Sequence, residues 1–555
     1  MSSERKQVAR ATWVVSGATM ISRVFGYIRD AVIAAYFGTG TSADAFIAAF
    51  KVPNFLRRLF GEGALTVSFV PVFTEELERK GEPAAKELAS VVFTAFFALL
   101  SLITVVGVIF APQIVWLMVP GFEGVSEKAE LTVYLTRVMF PYVLLICLVA
   151  LAMGILNSTK HFFAPAFAPV LLNVSMIAAA MALTPVVDPP SLALAIGVVA
   201  GGVVQLLFQI PFLYKKGYLP RIRVNPSHPG LRKIAFLLLP ALFGMAVHTL
   251  AVFINSIFAS MLREGSVSCF FYADRLMELP LGVFAIAVGT AVLPSMSRQA
   301  AKLDFDGLKD TMGFGIKLVL FITLPATAGM VALSEPIINV LFQRGAFDLE
   351  ATQITAQTLV FFCLGLPFFS ILRVVVPVFY SMKDTLTPVL LAVTAVVTTL
   401  LCDVLFIGPV EYPEWPIVAL LAQKMNITGP LGVGGLALAT SVGAMVNCIG
   451  LTFILKTRIG RIGGRAIAFS VSRSLLAAAV MGVAVWYPVR FFDFTTDGFG
   501  VVKVAALAGI IALGMAVYAG VAAALGSPEL QSAVGIFRRK FGRKKATDEN
   551  AGSGQ

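Results

Sequence analysis

The sequence predicts an all-α integral membrane protein of about fourteen spanning helices, built as two parallel six-helix lobes plus two C-terminal helices. Three observations predict it. Of 555 residues, 58% are hydrophobic and 13% charged, with a mean hydropathy of +0.87. Soluble chains carry about a quarter charged residues, so lipid is the main solvent here. Apolar runs long enough to cross the hydrocarbon core, about 20 residues each, recur along the whole chain. Lysine and arginine, finally, divide unequally between alternate connections.

Taken in order, the runs place spans at 11–37, 42–72, 89–119, 131–155, 163–184 and 191–214. After a linker at 215–231 they continue at 232–262, 268–298, 312–334, 353–380, 388–410 and 431–456, then 466–489 and 501–525. The first run follows Arg5, Lys6 and Arg10, as the core of a signal peptide would. It also contains Arg23, Arg29 and Asp30 and lacks a small-residue cleavage site, so the segment is expected to stay as the first span. The domain plan is therefore an N-terminal lobe 1–214, a cytoplasmic linker 215–231, a C-terminal lobe 232–457, an extra helix pair 458–526 and a basic cytoplasmic tail 527–555.

One set of connections, together with both termini, holds 27 Lys and Arg; the opposite set holds 6, namely Lys128, Arg263, Arg344, Lys424, Arg490 and Lys503. The positive-inside rule puts the first set, and both ends of the chain, in the cytoplasm. A missed or invented span would mix the two sets, so the asymmetry also supports the span count.

An internal repeat runs at a period of about 225 residues. Phe50-Lys51-Val52-Pro53 is echoed by Met277-Glu278-Leu279-Pro280, Phe69-Val70-Pro71 by Val292-Leu293-Pro294, and Ser158-Thr159-Lys160 by Ser381-Met382-Lys383. Six spans per copy is an even number, so both copies enter from the same side and are related by an axis along the membrane normal. The last two spans have no partner in this scheme.

The net charge of +12 would suit a nucleic-acid partner, but the basic residues come in short clusters between apolar runs. That pattern is juxtamembrane, and no nucleic acid is expected. Cys147, Cys269, Cys363, Cys402 and Cys448 are far apart with no CxxC spacing, which predicts neither disulfides nor a metal cluster. A membrane enzyme acting on polyprenyl diphosphates would need acid clusters for magnesium or a reactive pair on an aqueous loop. The longest loops hold neither, so a transporter is expected and not an enzyme.

Ten cations fall within spans. Arg137, Lys317 and Arg473 lie within about two turns of a helix end and can snorkel to the headgroups; Arg373 fits either reading. Arg23, Arg29, Lys51, Arg57 and Arg275 lie deeper, and Arg58 adjoins Arg57. A charge at the bilayer centre costs about 3 kcal/mol even on the lenient insertion scale. Five facing lipid would exceed a domain's usual net stability. They must face protein or a wet cavity. Asp30, Asp44, Glu62, Asp274 and Glu278 are near enough in sequence to pair with some of them, and an ion-pair network serving only the fold is the alternative reading. The second and eighth spans are interrupted in corresponding places, by Pro53, Gly61, Gly63 and Pro71 and by Pro280, Gly282, Gly289 and Pro294. Paired broken helices point to a central transport site, and arginine suits phosphate oxygens bidentately. The expected substrate is an anion bearing phosphate.

The stretches Ser22-Arg23-Val24-Phe25-Gly26-Tyr27-Ile28-Arg29-Asp30-Ala31, Asp44-Ala45-Phe46, Phe50-Lys51-Val52-Pro53-Asn54-Phe55-Leu56-Arg57-Arg58-Leu59-Phe60-Gly61-Glu62-Gly63-Ala64 and Tyr272-Ala273-Asp274-Arg275-Leu276-Met277-Glu278 resemble the signature of the MurJ (MviN) lipid II flippases. These belong to the multidrug/oligosaccharidyl-lipid/polysaccharide (MOP) exporter superfamily, and the resemblance covers nearly the whole chain. It implies translocation of lipid II, the undecaprenyl-pyrophosphate-linked peptidoglycan precursor, from the inner to the outer leaflet. It implies that Arg23, Arg29, Arg57 and Arg275 line a central cavity and are required, that Asp44 takes part, and that the final helix pair holds the polyprenyl tail. Membrane lipids and lipid II are then the partners of a protein expected to act as a monomer. No cofactor is expected, but the resemblance implies coupling to Na+ or to the membrane potential. Asp403, with Asn255 and Thr440 as neighbours, is the candidate sodium ligand, although a lone intramembrane Asp can also be paired or protonated. A related exporter of another lipid-linked oligosaccharide, or of a drug, is the rival reading; a cavity rich in arginine disfavours cationic drugs.

Overall fold

The computed structural model describes residues 3–59, 65–407, 431–496 and 500–531. All regular structure among them is helical. Eleven helices of the described residues are long and apolar enough to cross a membrane, fewer than the fourteen spans expected. The described parts of the other three expected spans are also helical, but charge or breaks interrupt two of them. The first carries Arg23, Arg29 and Asp30; the second divides near Leu56. The chain forms two compact units.

The first unit holds α1 (Ser3–Phe37), α2 (Thr41–Leu56), α3 (Leu65–Lys80), α4 (Glu82–Ile109), α5 (Ala111–Met118), α6 (Ser126–Met139), α7 (Pro141–Ser158), α8 (Phe163–Leu183), α9 (Leu192–Lys215), α10 (Pro229–Ser260) and the start of α11 (Ser266–Pro280). Helix α8 packs between α1 and α9, α7 packs on α9, and α2 on α6. With no hydrophobic drive between helices in lipid, close backbone approach supplies the packing energy. Gly197 on α9 shows it, since a Cβ there would stand 2.8 Å from that of Ala179 on α8.

Helix α10 belongs to this unit, whereas the repeat placed it at the head of the C-terminal lobe 232–457. The reason is local bonding. Lys233 pairs with Glu75 on α3, Ser256 accepts from Lys51 Nζ at 2.8 Å, and Ser260 Oγ accepts from the Gly121 amide at 3.2 Å. The 215–231 linker is likewise bound down. Its Arg221 and Arg223 amides donate to Ser90 and Thr94 on α4, and Arg223 pairs with Glu87 at 2.9 Å.

The second unit continues α11 from Tyr272 and adds α12 (Ile286–Ala301), α13 (Phe305–Ala332), α14 (Ser334–Phe342), α15 (Leu349–Ser381), α16 (Leu386–Phe406), α17 (Gly432–Ile459), α18 (Gly464–Val489) and α19 (Val501–Ala524). Helix α18 packs on both α13 and α19, and Tyr518 Oη on α19 donates to the Phe321 carbonyl of α13 at 2.6 Å.

The repeat is visible in backbone geometry. Lys160 and Lys383, at matching places in the two copies, both take left-handed φ values of 61° and 62°. Each closes its helix the same way: the His161 amide donates to the Leu156 carbonyl, and the Asp384 amide to that of Phe379. This is the six-to-one bond that satisfies an otherwise unpaired helix-end carbonyl.

Candidate functional site

Helix α1 carries Arg23 and Arg29, about 9 Å apart along the axis at 1.5 Å per residue. Arg29 is buried. Its Nε and Nη2 donate to Asp30 Oδ1 at 3.0 and 2.6 Å, and its Nη1 donates to Asn173 Oδ1 on α8 at 3.0 Å. Asn173 in turn donates from Nδ2 to the Ser22 carbonyl at 3.1 Å, so one side chain fixes both the guanidinium and the helix that bears it. Arg29 is thus charge-compensated and held in one orientation. Arg23 is half-buried and has no hydrogen-bond or ion-pair partner among the described residues.

The second cluster sits where α2 ends. Pro53 deprives the helix of a backbone donor, and residues 57–59 wind as a π-helical turn. Such turns mark functional breaks in helices. Lys51 reaches Ser256 on α10, and Arg57 Nε donates to Asn54 Oδ1 at 3.0 Å. Arg58 is half-buried and without a hydrogen-bond or ion-pair partner among the described residues. Glu62 lies outside the described residues.

Asp44, expected beside the substrate, is a structural junction in this conformation. Its carboxylate is 1% exposed and accepts from Lys128 Nζ at 2.6 Å, the Gly265 amide at 2.9 Å, the Ser268 amide at 2.9 Å and Ser268 Oγ at 2.6 Å. It therefore caps the first turn of α11, where unpaired amides and the helix dipole favour a negative charge, while binding α2 to α6. Lys128 is correspondingly buried, with Nζ 4.4 Å from the Phe122 ring. It is no loop cation, as its sequence position suggested.

In the second unit α11 carries Asp274, Arg275 and Glu278. Arg275 Nη1 lies 3.5 Å from Glu278 Oε2, both partly exposed. Immediately beyond Pro280 the helix passes into a π-helical turn, Leu281–Ala285, the counterpart of the break at 57–59. Four residues further, Gly289 lets α12 meet α15, since a Cβ there would lie 2.3 Å from the Arg373 carbonyl oxygen. Asp403 on α16 is fully buried, and neither carboxylate oxygen has a hydrogen-bond partner among the described residues. No group of three His, Cys, Asp or Glu side chains that could hold a metal occurs among those residues.

The C-terminal pair α18–α19 presents Leu475, Leu476, Val483, Trp486 and Met515 outward. The end of the pair that holds Ser470 and Ser527 is pinned by Glu529, which accepts from Ser470 Oγ at 2.7 Å and Ser527 Oγ at 2.8 Å. Burial works to raise the Glu529 carboxyl, and the two hydroxyls with nearby Lys317 outweigh it, leaving the group below its ordinary range.

The predicted site residues fall into two sets. Arg23, Arg29, Asp30, Asp44, Lys51, Arg57 and Arg58 lie in the first unit; Asp274, Arg275, Glu278 and Asp403 lie in the second. Sequence reasoning missed Asn173 and Lys128. Asn173 had a signal, as a polar residue inside the apolar run 163–184; Lys128 had none.

A model of the family described as lipid II flippase MurJ matches residues 33–505. A probable lipid II flippase MurJ of Vibrio cholerae is 36% identical over 529 residues, spanning 94% of this chain and 97% of the relative. The lipid II flippase MurJ of Burkholderia cenocepacia is 35% identical over 491 residues, spanning 88% and 91%. A solved structure titled lipid II flippase MurJ, inward closed conformation, superposes with a TM-score of 0.72 at 25% identity, covering 95% of this chain and 99% of that one. An inward-facing multidrug-resistance MATE transporter of the MOP superfamily shares the fold at a TM-score of 0.63 and 16% identity. With the family match running from within α1 to within α19, across both broken helices and the cations they carry, this chain belongs to the lipid II flippase MurJ family.

Proposed function

We propose that this chain moves lipid II from the inner to the outer leaflet of the bacterial cytoplasmic membrane by alternating access, as a transporter and not an enzyme. The observation that carries the reading is the family match over residues 33–505. The site adds a chemical reason. A diphosphate crossing the bilayer must exchange water for other donors, and guanidinium forks replace it bidentately. Arg23 and Arg58 lack protein partners among the described residues and are suited to grip the diphosphate. Arg29, oriented by Asp30 and Asn173, supplies a fixed positive field. Arg57, in the first π-helical turn, and Arg275, on the helix that leads into the second, complete the binding set, and the exposed apolar faces of α18 and α19 accept the polyprenyl chain. The protein acts as a monomer with both termini in the cytoplasm.

Asp403 is our candidate for the coupling cation. A buried carboxylate whose two oxygens have no hydrogen-bond partner among the described residues suits a hard monovalent ion, and Na+ would neutralise the charge that burial otherwise disfavours. The membrane potential is the alternative drive. Transport assayed at fixed potential with sodium replaced by potassium separates them, and sodium-independent transport would remove Asp403 from this role.

The test of the main reading is leaflet-resolved labelling of lipid II in cells whose only flippase is this protein. Depletion should trap lipid II in the cytoplasmic leaflet. An unchanged distribution would mean that another cargo is carried.

A further inference from the structure

A cleft of about 390 Å³ opens in the second unit where the first turns of α13 meet the start of α18. Lys309, Gly313 and Lys317 line one wall at four-residue spacing, hence on one face of α13. Arg461 stands opposite, and Asp306 and Asp310 complete the rim. Three cations stand against two acids, and Lys309 donates to Asp306 at 2.9 Å. Glycine keeps the cleft open: nothing lies within 4 Å of where a Cβ would stand at Gly463 or Gly464, and at Gly313 only the tip of Ile467 is met, at 4.0 Å. The cleft sits at the ends of two spanning helices on the lysine- and arginine-rich side, that of Arg298, Lys302 and Arg458.

We propose that this cleft binds a phosphodiester lipid of the inner leaflet with a hydroxylated headgroup, of the phosphatidylglycerol class. Lys317 and Arg461 take the phosphate, Asp310 accepts the headgroup hydroxyls while Asp306 is held by Lys309 at 2.9 Å, and an acyl chain leaves along Ile467. Lys309 is paired with Asp306 and Lys317 also neighbours Glu529, which leaves Arg461, without an ion-pair partner among the described residues, as the cation freest to meet a phosphate. Lys317 lies about 18 Å along α13 from Phe305, deep enough to meet a phosphate drawn down at the protein surface rather than one floating above it. The site is apart from the arginines assigned to lipid II, so its test stands or falls without that reading.

The experiment is titration of the delipidated full-length protein with dioleoylphosphatidylglycerol, counted by native mass spectrometry. Arg461→Gln, on an exposed turn, should weaken retention about 5-fold, and Lys317→Gln with Arg461→Gln about 30-fold, the scale set by one and two interfacial cations. A charge-matched control, Arg298→Gln with Lys302→Gln, lies outside the cleft and should retain the lipid as the unaltered protein does. Equal retention by the cleft variants, or an equal loss in the control, overturns the proposal. Farnesyl diphosphate is the competing probe. If it displaces phosphatidylglycerol at a lower concentration than phosphatidylglycerol itself requires, the cleft takes an isoprenyl diphosphate and the assignment is overturned.

Discussion

At the scale of single residues, the first unit separates charges that hold the fold from charges that remain to act. Arg29 is bound into the fold and is also proposed for the site, and this confounds a simple alanine test. Arg29→Ala would leave Asp30 buried without its nearest cation, a loss of about 3–5 kcal/mol for a broken buried pair. Inactivity of that variant would say nothing about substrate. Arg29→Ala combined with Asp30→Asn removes both charges. Thermal unfolding in detergent should recover most of the stability lost in the single variant while lipid II translocation stays absent. If translocation returned as well, Arg29 would be structural only. Asp44 calls for a different contrast. Asn can still cap the α11 amides but cannot pair with Lys128, whereas Ala can do neither. Unfolding temperature should fall in the order native, Asp44→Asn, Asp44→Ala, with the last step alone costing about 1 kcal/mol for the lost cap. Equal effects of the two substitutions would show that the cap contributes nothing.

At the scale of elements, the two broken helices are the clearest repeat feature. Pro53 precedes the π-helical turn at 57–59, and Pro280 leads directly into Leu281–Ala285. Proline removes a backbone donor and crowds the preceding turn; in the second copy the chain stays helical through the π turn into α12. Gly289 then serves close packing, with a Cβ position 2.3 Å from the Arg373 carbonyl. Gly509 in α19 offers the opposite case, with nothing within 4 Å. Both are glycines inside helices, where alanine intrinsically favours the helix by about 1 kcal/mol. Gly509→Ala should therefore raise the unfolding temperature, and Gly289→Ala should lower it, because overpacking costs about 1–3 kcal/mol. A rise in both would mean that α12 and α15 move apart readily. These breaks were legible in the sequence from proline and glycine at the repeat period. The division of α10 from the second copy was not, because it rests on side-chain bonds between segments far apart, such as Lys51 to Ser256.

At the scale of the whole molecule, hydropathy and charge asymmetry fixed the helical class and the position of each long run, because lipid imposes one rule on every span. The same rule hid Lys128. A lysine between two spans reads as a loop cation, and only the burial of its partner Asp44 across 84 residues of chain shows otherwise. Without it the two sets of connections hold 5 and 27 cations. Orientation can be tested with little background, since four native cysteines are buried and Cys402 is half-buried. Val186 and Ile222 are 72% and 84% exposed and lie on opposite sides in this topology. A cysteine at Val186 should react with a membrane-impermeant maleimide added to intact spheroplasts. One at Ile222 should react only after the membrane is opened. The reverse pattern would place the arginine-rich connections outside, leave the diphosphate to be gripped from the wrong leaflet, and remove the physical basis for outward translocation.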